Sequence, residues 1–196
     1  MNIGVLLFHE VNELEVVGPY TVLNTAKAFL PDPETLELCT VAKSRNSVQT
    51  SADMTITPTW AFMSAPPVDV LIVPGGRGVE TALRDRALTQ YLGAQKETLD
   101  LVVSISSGAL LLGSLGYLKD KVVTTHPDLY ERIEDYEVLR VSEDRIVKND
   151  SGVWCSGGSV TGIEVGLELV KHLFSDELAA KVAKHLGIIA TQPSLF

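Results

Sequence analysis

Three places in this sequence set small or reactive residues directly after an apolar run: Phe8-His9-Glu10, Pro74-Gly75-Gly76 and Ile105-Ser106-Ser107-Gly108. A strand that turns at once into a helix presents its turning side chain and aims backbone N–H groups at whatever lies above it. The stretch Ser104-Ile105-Ser106-Ser107-Gly108 has that form, with Ser106 at the turn and Gly108 allowing close approach of the helix. The chemistry open to it is catalysis by the side chain exposed at Ser106, and the Gly75-Gly76 loop could bring further N–H groups to the same crevice, as an oxyanion site needs. A structural role suits the same residues, because a serine hydroxyl is also a good helix N-cap. Spacing alone leaves both readings open.

Glu15 is the second candidate. Most carboxylates in a first helix are simply solvated, but this one sits between Leu14 and Val16-Val17. A carboxyl held in apolar surroundings favours its neutral form and can donate a proton. His126 follows a short apolar run and precedes Pro127, so it is either a base at a strand end or a turn residue; His9 is placed similarly. His172 and His185 fall inside helical patterns and read as surface or packing residues. A serine hydrolase with Asp128 or Asp150 and then a late histidine satisfies a known chain order, but those histidines belong on loops, so this reading is weak. Gly75-Gly76-Arg77-Gly78 lacks the spacing of a dinucleotide loop and the lysine of a phosphate loop. Cys39 and Cys155 form neither a disulfide framework nor a metal-ligand pattern. No cofactor and no metal are expected.

The elements that must position these residues alternate between apolar runs and helical patterns, the mark of a sheet covered on both faces. Strands are expected over 3–8, 36–42, 68–73, 101–105 and 122–124, with short ones over 138–140, 145–147 and 153–155. The polar stretch 43–50 suggests a hairpin reaching 54–57, and 148–152 reads as a turn. Helices are expected over 13–29, with a kink or break at Gly18-Pro19, between 77 and 98, and over 106–116, 159–174 and 176–189. The fold class is therefore α/β: a flavodoxin-like, doubly wound, mainly parallel sheet in one domain over 1–196. In such folds ligands sit at the carboxyl ends of the strands.

The 196 residues suit one domain with a sizeable core, and 45% hydrophobic with 21% charged residues is globular composition. A net charge of −9 with only 16 scattered basic residues disfavours nucleic acid and anionic membranes as partners. The uncharged stretch 101–118 approaches membrane-span length, but four serines and three glycines interrupt it. It reads better as a buried strand followed by a buried helix. The N-terminus lacks the basic region of a signal peptide. Together with the cysteine usage this points to a reducing, cytoplasmic location.

At these residues the sequence resembles the ThiJ/PfpI superfamily, of class I glutamine amidotransferase-like fold, and within it the isonitrile (isocyanide) hydratase branch. The matching stretches are Phe8-His9-Glu10-Val11 through Glu15-Val16-Val17-Gly18-Pro19, Val73-Pro74-Gly75-Gly76, Ser104 to Gly116, Thr124-Thr125-His126 and Ser156-Gly157-Gly158. The resemblance implies a nucleophile at Ser106, a hydroxyl neighbour at Ser107 and an acid/base at Glu15. It also implies a small-molecule substrate and a homodimer. Two positions depart from the pattern: Glu15 stands where the branch usually has Asp, and Ser106 where it has Cys. A serine lacks the easily lowered pKa of a thiol and needs a dedicated base. The expected function is a hydratase-like lyase, weak or inactive with serine at this position. The alternative is a non-catalytic ligand-binding or stress-response member.

Overall fold

Fully apolar strands need cover on both faces, and this chain supplies it by alternating them with helices. The computed structural model describes residues 1–188. It opens with β1 (Asn2–Leu6) and α1 (Glu13–Phe29). β2 (Glu37–Ala42) follows, then the two-residue strands β3 (Val48–Gln49), β4 (Thr55–Ile56) and β5 (Trp60–Ala61). β6 (Val70–Val73) precedes α2 (Val79–Ala82) and α3 (Arg86–Gln95). β7 (Leu101–Ile105) turns into α4 (Gly108–Ser114). After β8 (Val122–Val123) and α5 (Tyr130–Glu134) come β9 (Arg140–Val141), β10 (Ile146–Asn149) and β11 (Val153–Ser156). The last described elements are α6 (Thr161–Leu173) and α7 (Asp176–His185).

Seven strands form one sheet in the order β10-β11-β7-β6-β1-β2-β5. Every pairing is parallel except that of β10 with β11. β1, β6 and β7 are adjacent, with Ile3 opposite Val70 and Val70 opposite Leu101. All residues of β6 and β7 are buried, so both faces of the sheet centre are covered. One helix cluster joins α1, α6 and α7, and another joins α2, α4 and α5. The chain winds outward from β1 to β2 and returns across it to β6, so the strand order reverses there. Ligand crevices of doubly wound sheets open at such reversals, above the carboxyl ends of the strands.

Two expectations change. Gly18-Pro19 does not break α1, which runs through Pro19 without interruption. Tertiary packing outweighs the missing N–H: a Cβ at Gly162 would lie 3.2 Å from the Pro19 ring, and one at Gly166 3.2 Å from its Cα. Two helices this close hold each other straight, and the contact fixes the first turns of α1. The hairpin is also built differently. β2 pairs in parallel with β1 and β5, whereas β3 and β4 form their own antiparallel pair, with Val48 opposite Ile56. The polar stretch therefore contains the first hairpin strand instead of leading into it from β2. The 148–152 turn joins an antiparallel pair, with Gly152 at φ 74° packed on the Asp100 carbonyl. The last helix stops at His185, and Ile189 lies outside the described residues.

Candidate functional site

α1 begins at Asn12, whose side chain accepts a hydrogen bond from the Leu14 amide at 3.0 Å. Its buried stripe is Glu15, Gly18-Pro19, Val22-Leu23 and Ala26, a helical period that turns Glu15 inward with the apolar residues. Glu15 is 1% exposed. Its Oε2 accepts from the Gly75 amide at 2.5 Å, and its Oε1 from the Ser159 hydroxyl at 2.6 Å. Ser159 Oγ in turn accepts from Asn12 Nδ2 at 3.1 Å. Burial raises the carboxyl pKa, and the hydrogen bonds from Ser159 and Gly75, with the nearby Ser106 hydroxyl, oppose it without cancelling the rise. The solvated-carboxylate reading of Glu15 fails; its neutral form is favoured.

Ser106 ends β7 at φ 53°, a left-handed conformation that costs a non-glycine residue about 1–3 kcal/mol. The surroundings impose it. The Ser106 amide donates to the Ser156 carbonyl at 2.9 Å, extending the β7–β11 ladder, and the Thr125 hydroxyl donates to the Ser106 carbonyl at 2.8 Å. The residue is 5% exposed. Its hydroxyl is close enough to Glu15 to favour the carboxylate, although no hydrogen bond of ordinary length and angle joins the two. Glu15 and Ser106 are thus brought together across 91 positions of sequence.

Neither serine caps the helix. Ser107 occupies the N-cap position of α4, but its side chain makes no capping bond and instead accepts from the Gly76 amide at 3.1 Å. A Cβ at Gly75 would lie 2.8 Å from the Ser107 nitrogen and 2.9 Å from that of Gly108, so the two loops interlock at a spacing only glycine allows. The amides of Gly75 and Gly76 already have partners, Glu15 and Ser107. Those of Ser107 and Gly108 have none among the described residues. The free donors are therefore on the helix side of the turn.

His126 touches neither Ser106 nor Glu15. Its Nδ1 accepts from the Asp128 amide at 3.3 Å, closing a turn at Pro127. It lines a cavity of about 350 Å³ that it shares with Ser159. His9 faces a different cavity, of about 420 Å³, beyond the ends of β1 and β2. His172 packs edge-on against Trp154, and His185 against Phe29, which removes the hydrolase triad. Cys39 and Cys155 are free and buried. Burial pushes the Cys39 thiol up to about 11 and raises that of Cys155. No cluster of potential metal ligands occurs among the described residues. Sequence reasoning missed Ser159, Asn12 and Thr125. Ser159 stands next to Gly157-Gly158, but nothing local shows that it reaches a carboxyl 144 positions earlier.

A model of the DJ-1/PfpI family matches residues 1–172. The chain is 32% identical to isonitrile hydratase of Pseudomonas putida over 193 residues, covering 98% of this chain and 81% of the relative. It is 29% identical to the Parkinson disease protein 7 homolog of Danio rerio, over 91% of this chain and 92% of that one. The crystal structure of a ThiJ/PfpI family protein from Pseudomonas syringae superposes with a TM-score of 0.88 at 24% identity, covering 99% of this chain and 77% of the other. Drosophila melanogaster DJ-1beta superposes at 0.83 and 22% identity, covering 96% and 98%. With the family model spanning all but the last helix, this chain belongs to the DJ-1/PfpI family.

Proposed function

We propose that this protein is a hydratase-like lyase that adds water to a small electrophile such as an isocyanide, giving an N-formamide, and that serine at position 106 leaves it slow. The observation that carries the reading is the buried Glu15, clamped by the Gly75 amide and Ser159 beside the strained turn at Ser106. The 32% identity to a protein named isonitrile hydratase supports the choice of substrate class.

The Ser106 oxygen attacks the isocyanide carbon as Glu15 protonates that carbon, and the resulting Glu15 carboxylate takes the Ser106 proton as the O–C bond forms, leaving a neutral imidate adduct and a neutral Glu15. Glu15 then gives its proton to nitrogen and regains one from water as the hydroxide adds to the same carbon. In the collapse Glu15 protonates the departing Ser106 oxygen as the O–C bond breaks and takes the hydroxyl proton of the adduct, releasing R–NH–CHO with Ser106 and Glu15 both restored. The free amides of Ser107 and Gly108 bind charge during attack, while those of Gly75 and Gly76 hold Glu15 and Ser107 in place. His126 lines the neighbouring cavity and contacts substrate rather than the reacting carbon. A carboxyl whose pKa is raised by burial is a readier acid than an ordinary one, so its proton goes to carbon before it accepts the Ser106 proton. Formation of N-formamide by the purified chain, absent in Ser106→Ala and Glu15→Gln, supports the reading; equal rates in all three contradict it. Tight binding of a metabolite without turnover, even with Ser106→Cys, supports the second reading, a non-catalytic ligand-binding or stress-response member. Serine at the attacking position favours that alternative.

The protein also acts as a homodimer in this reading, working in the cytoplasm, where its two buried thiols stay reduced. Leu14 and Val17, 37% and 44% exposed on α1, offer an apolar face for such a contact. Light scattering is expected to give twice the chain mass, and a monomer at high concentration contradicts the pairing. No helix among the described residues is long and apolar enough to cross a membrane.

A further inference from the structure

We infer that Ser159 is a proton port, a positioning residue whose hydroxyl exchanges protons between the buried Glu15 carboxyl and water in the cavity beside His126. The inference rests on the reading of Glu15 as the proton-handling group. Glu15 is sealed from solvent, and Oε2 is occupied by the Gly75 amide. The other oxygen accepts from the Ser159 hydroxyl at 2.6 Å, and the Ser106 hydroxyl also lies near the carboxyl. Ser159 is half-buried and lines the cavity of about 350 Å³ together with His126, Tyr130, Gly158 and Val160. A serine hydroxyl has one donor and two acceptor sites. Here the donor points at Glu15, one acceptor takes Asn12 Nδ2 at 3.1 Å, and one acceptor remains for water.

The step balances at Ser159. A hydronium in the cavity gives a proton to Oγ as the original hydroxyl proton passes to Glu15 Oε1. Two O–H bonds form, at Ser159 Oγ and Glu15 Oε1, and two break, in the hydronium and at Ser159 Oγ, leaving neutral water and a neutral carboxyl; the reverse step discharges Glu15. During turnover Glu15 trades protons with the substrate, the attacking water and residue 106; between cycles the Ser159 hydroxyl is the hydrogen-bonded link from the carboxyl to the cavity. The ionisable groups around the path are Glu13, which acts on Glu15 from its own helix, and His126, Tyr130, Glu143, Asp144 and Arg145 on the cavity wall.

The test reads exchange directly and needs no turnover. In protein labelled with carbon-13 at glutamate Cδ, the Glu15 line is assigned by its loss in Glu15→Gln. With an open port, protonated and ionised forms average to one line that moves with pH, in the unmodified chain and in Ser159→Thr. In Ser159→Ala the two forms are expected to appear as separate lines near the midpoint, with exchange slowed about tenfold or more, the low end of what a positioned proton-transfer group contributes. A merely structural Ser159 would move the midpoint and leave the line averaged. Gly158→Leu provides a second arm. A Cβ there meets nothing within 4 Å, so the side chain fills the cavity while the Ser159–Glu15 bond remains; it too should split the line, at an unchanged midpoint. One averaged line in both Ser159→Ala and Gly158→Leu, or two lines in the unmodified chain, would overturn the port. Splitting in only one variant would overturn the part of the path that the other variant probes. Split lines without any turnover by Ser106→Cys would retain the port and reject the hydratase.

Discussion

Ser106→Cys is expected to raise N-formamide formation from an isocyanide by about 10²-fold or more, at ~1.36 kcal/mol for each factor of ten. An ordinary thiol has a pKa near ~8.5 and is pushed lower at the start of a helix, where an alcohol stays protonated. Residue 106 opens the turn into α4, beside the unpartnered amides of Ser107 and Gly108, which favour an anion there. Glu15 then needs to act only as the proton carrier for carbon and water, which its raised pKa suits. The native thiols do not substitute for it. Cys39 is held at about 11 on β2, and Cys155 is buried in β11. Chromatographic measurement of product from both proteins under the same conditions checks the expectation, and equal rates would remove residue 106 from the chemistry.

The second large effect concerns Glu15. In the Ser106→Cys background, Glu15→Gln is expected to lower turnover by about 10²–10⁴-fold, the range for a positioned acid–base group. The amide keeps the shape and can still accept from Gly75 and pair with Ser159, so the loss reports proton transfer rather than collapse. The same change carries a stability signature with a definite sign. Burial raises the Glu15 pKa in the folded state, so the folded chain holds this proton more tightly than the unfolded one. The resulting stability is fully present below the unfolded value, near ~4.3. It is lost as pH rises from there through the raised folded value. Glu15→Gln escapes that loss. Its melting temperature should exceed the parent's by more at about pH 7.5 than at about pH 4, where both side chains are neutral. A larger gain at the acid end would show that Glu15 is stabilised as the anion.

The sheet was legible because its strands are apolar on both faces. The run at 101–105 became β7 with the same bounds, and that at 68–73 became β6 with a later start, since a covered sheet centre accommodates such runs. The turn at Ser106 was legible for a related reason: an apolar strand meeting Ser-Ser-Gly has no room for a loop. Glu15 was found by an argument that only half applied. Its neighbours Leu14 and Val17 are among the exposed residues, and burial comes instead from the stripe through Pro19 and Val22 that faces α6. What stayed hidden depends on contacts between distant segments. Local rules place a break at Pro19, but the α6 glycines pressed against it keep the helix whole. Gly75 and Gly76 read as charge-binding amides, yet Glu15 and Ser107 occupy them, a pairing of loops that no spacing along the chain reveals.

The most direct measurement is the mass of the Ser106→Cys protein quenched in acid during turnover of an isocyanide. The expected result is an increase equal to one isocyanide molecule, confined to the peptide that carries residue 106 and absent when Ser106→Ala is treated in the same way. An increase on the peptides of Cys39 or Cys155 instead, or N-formamide formation by Ser106→Ala at the rate of Ser106→Cys, would contradict attack from the strand-to-helix turn.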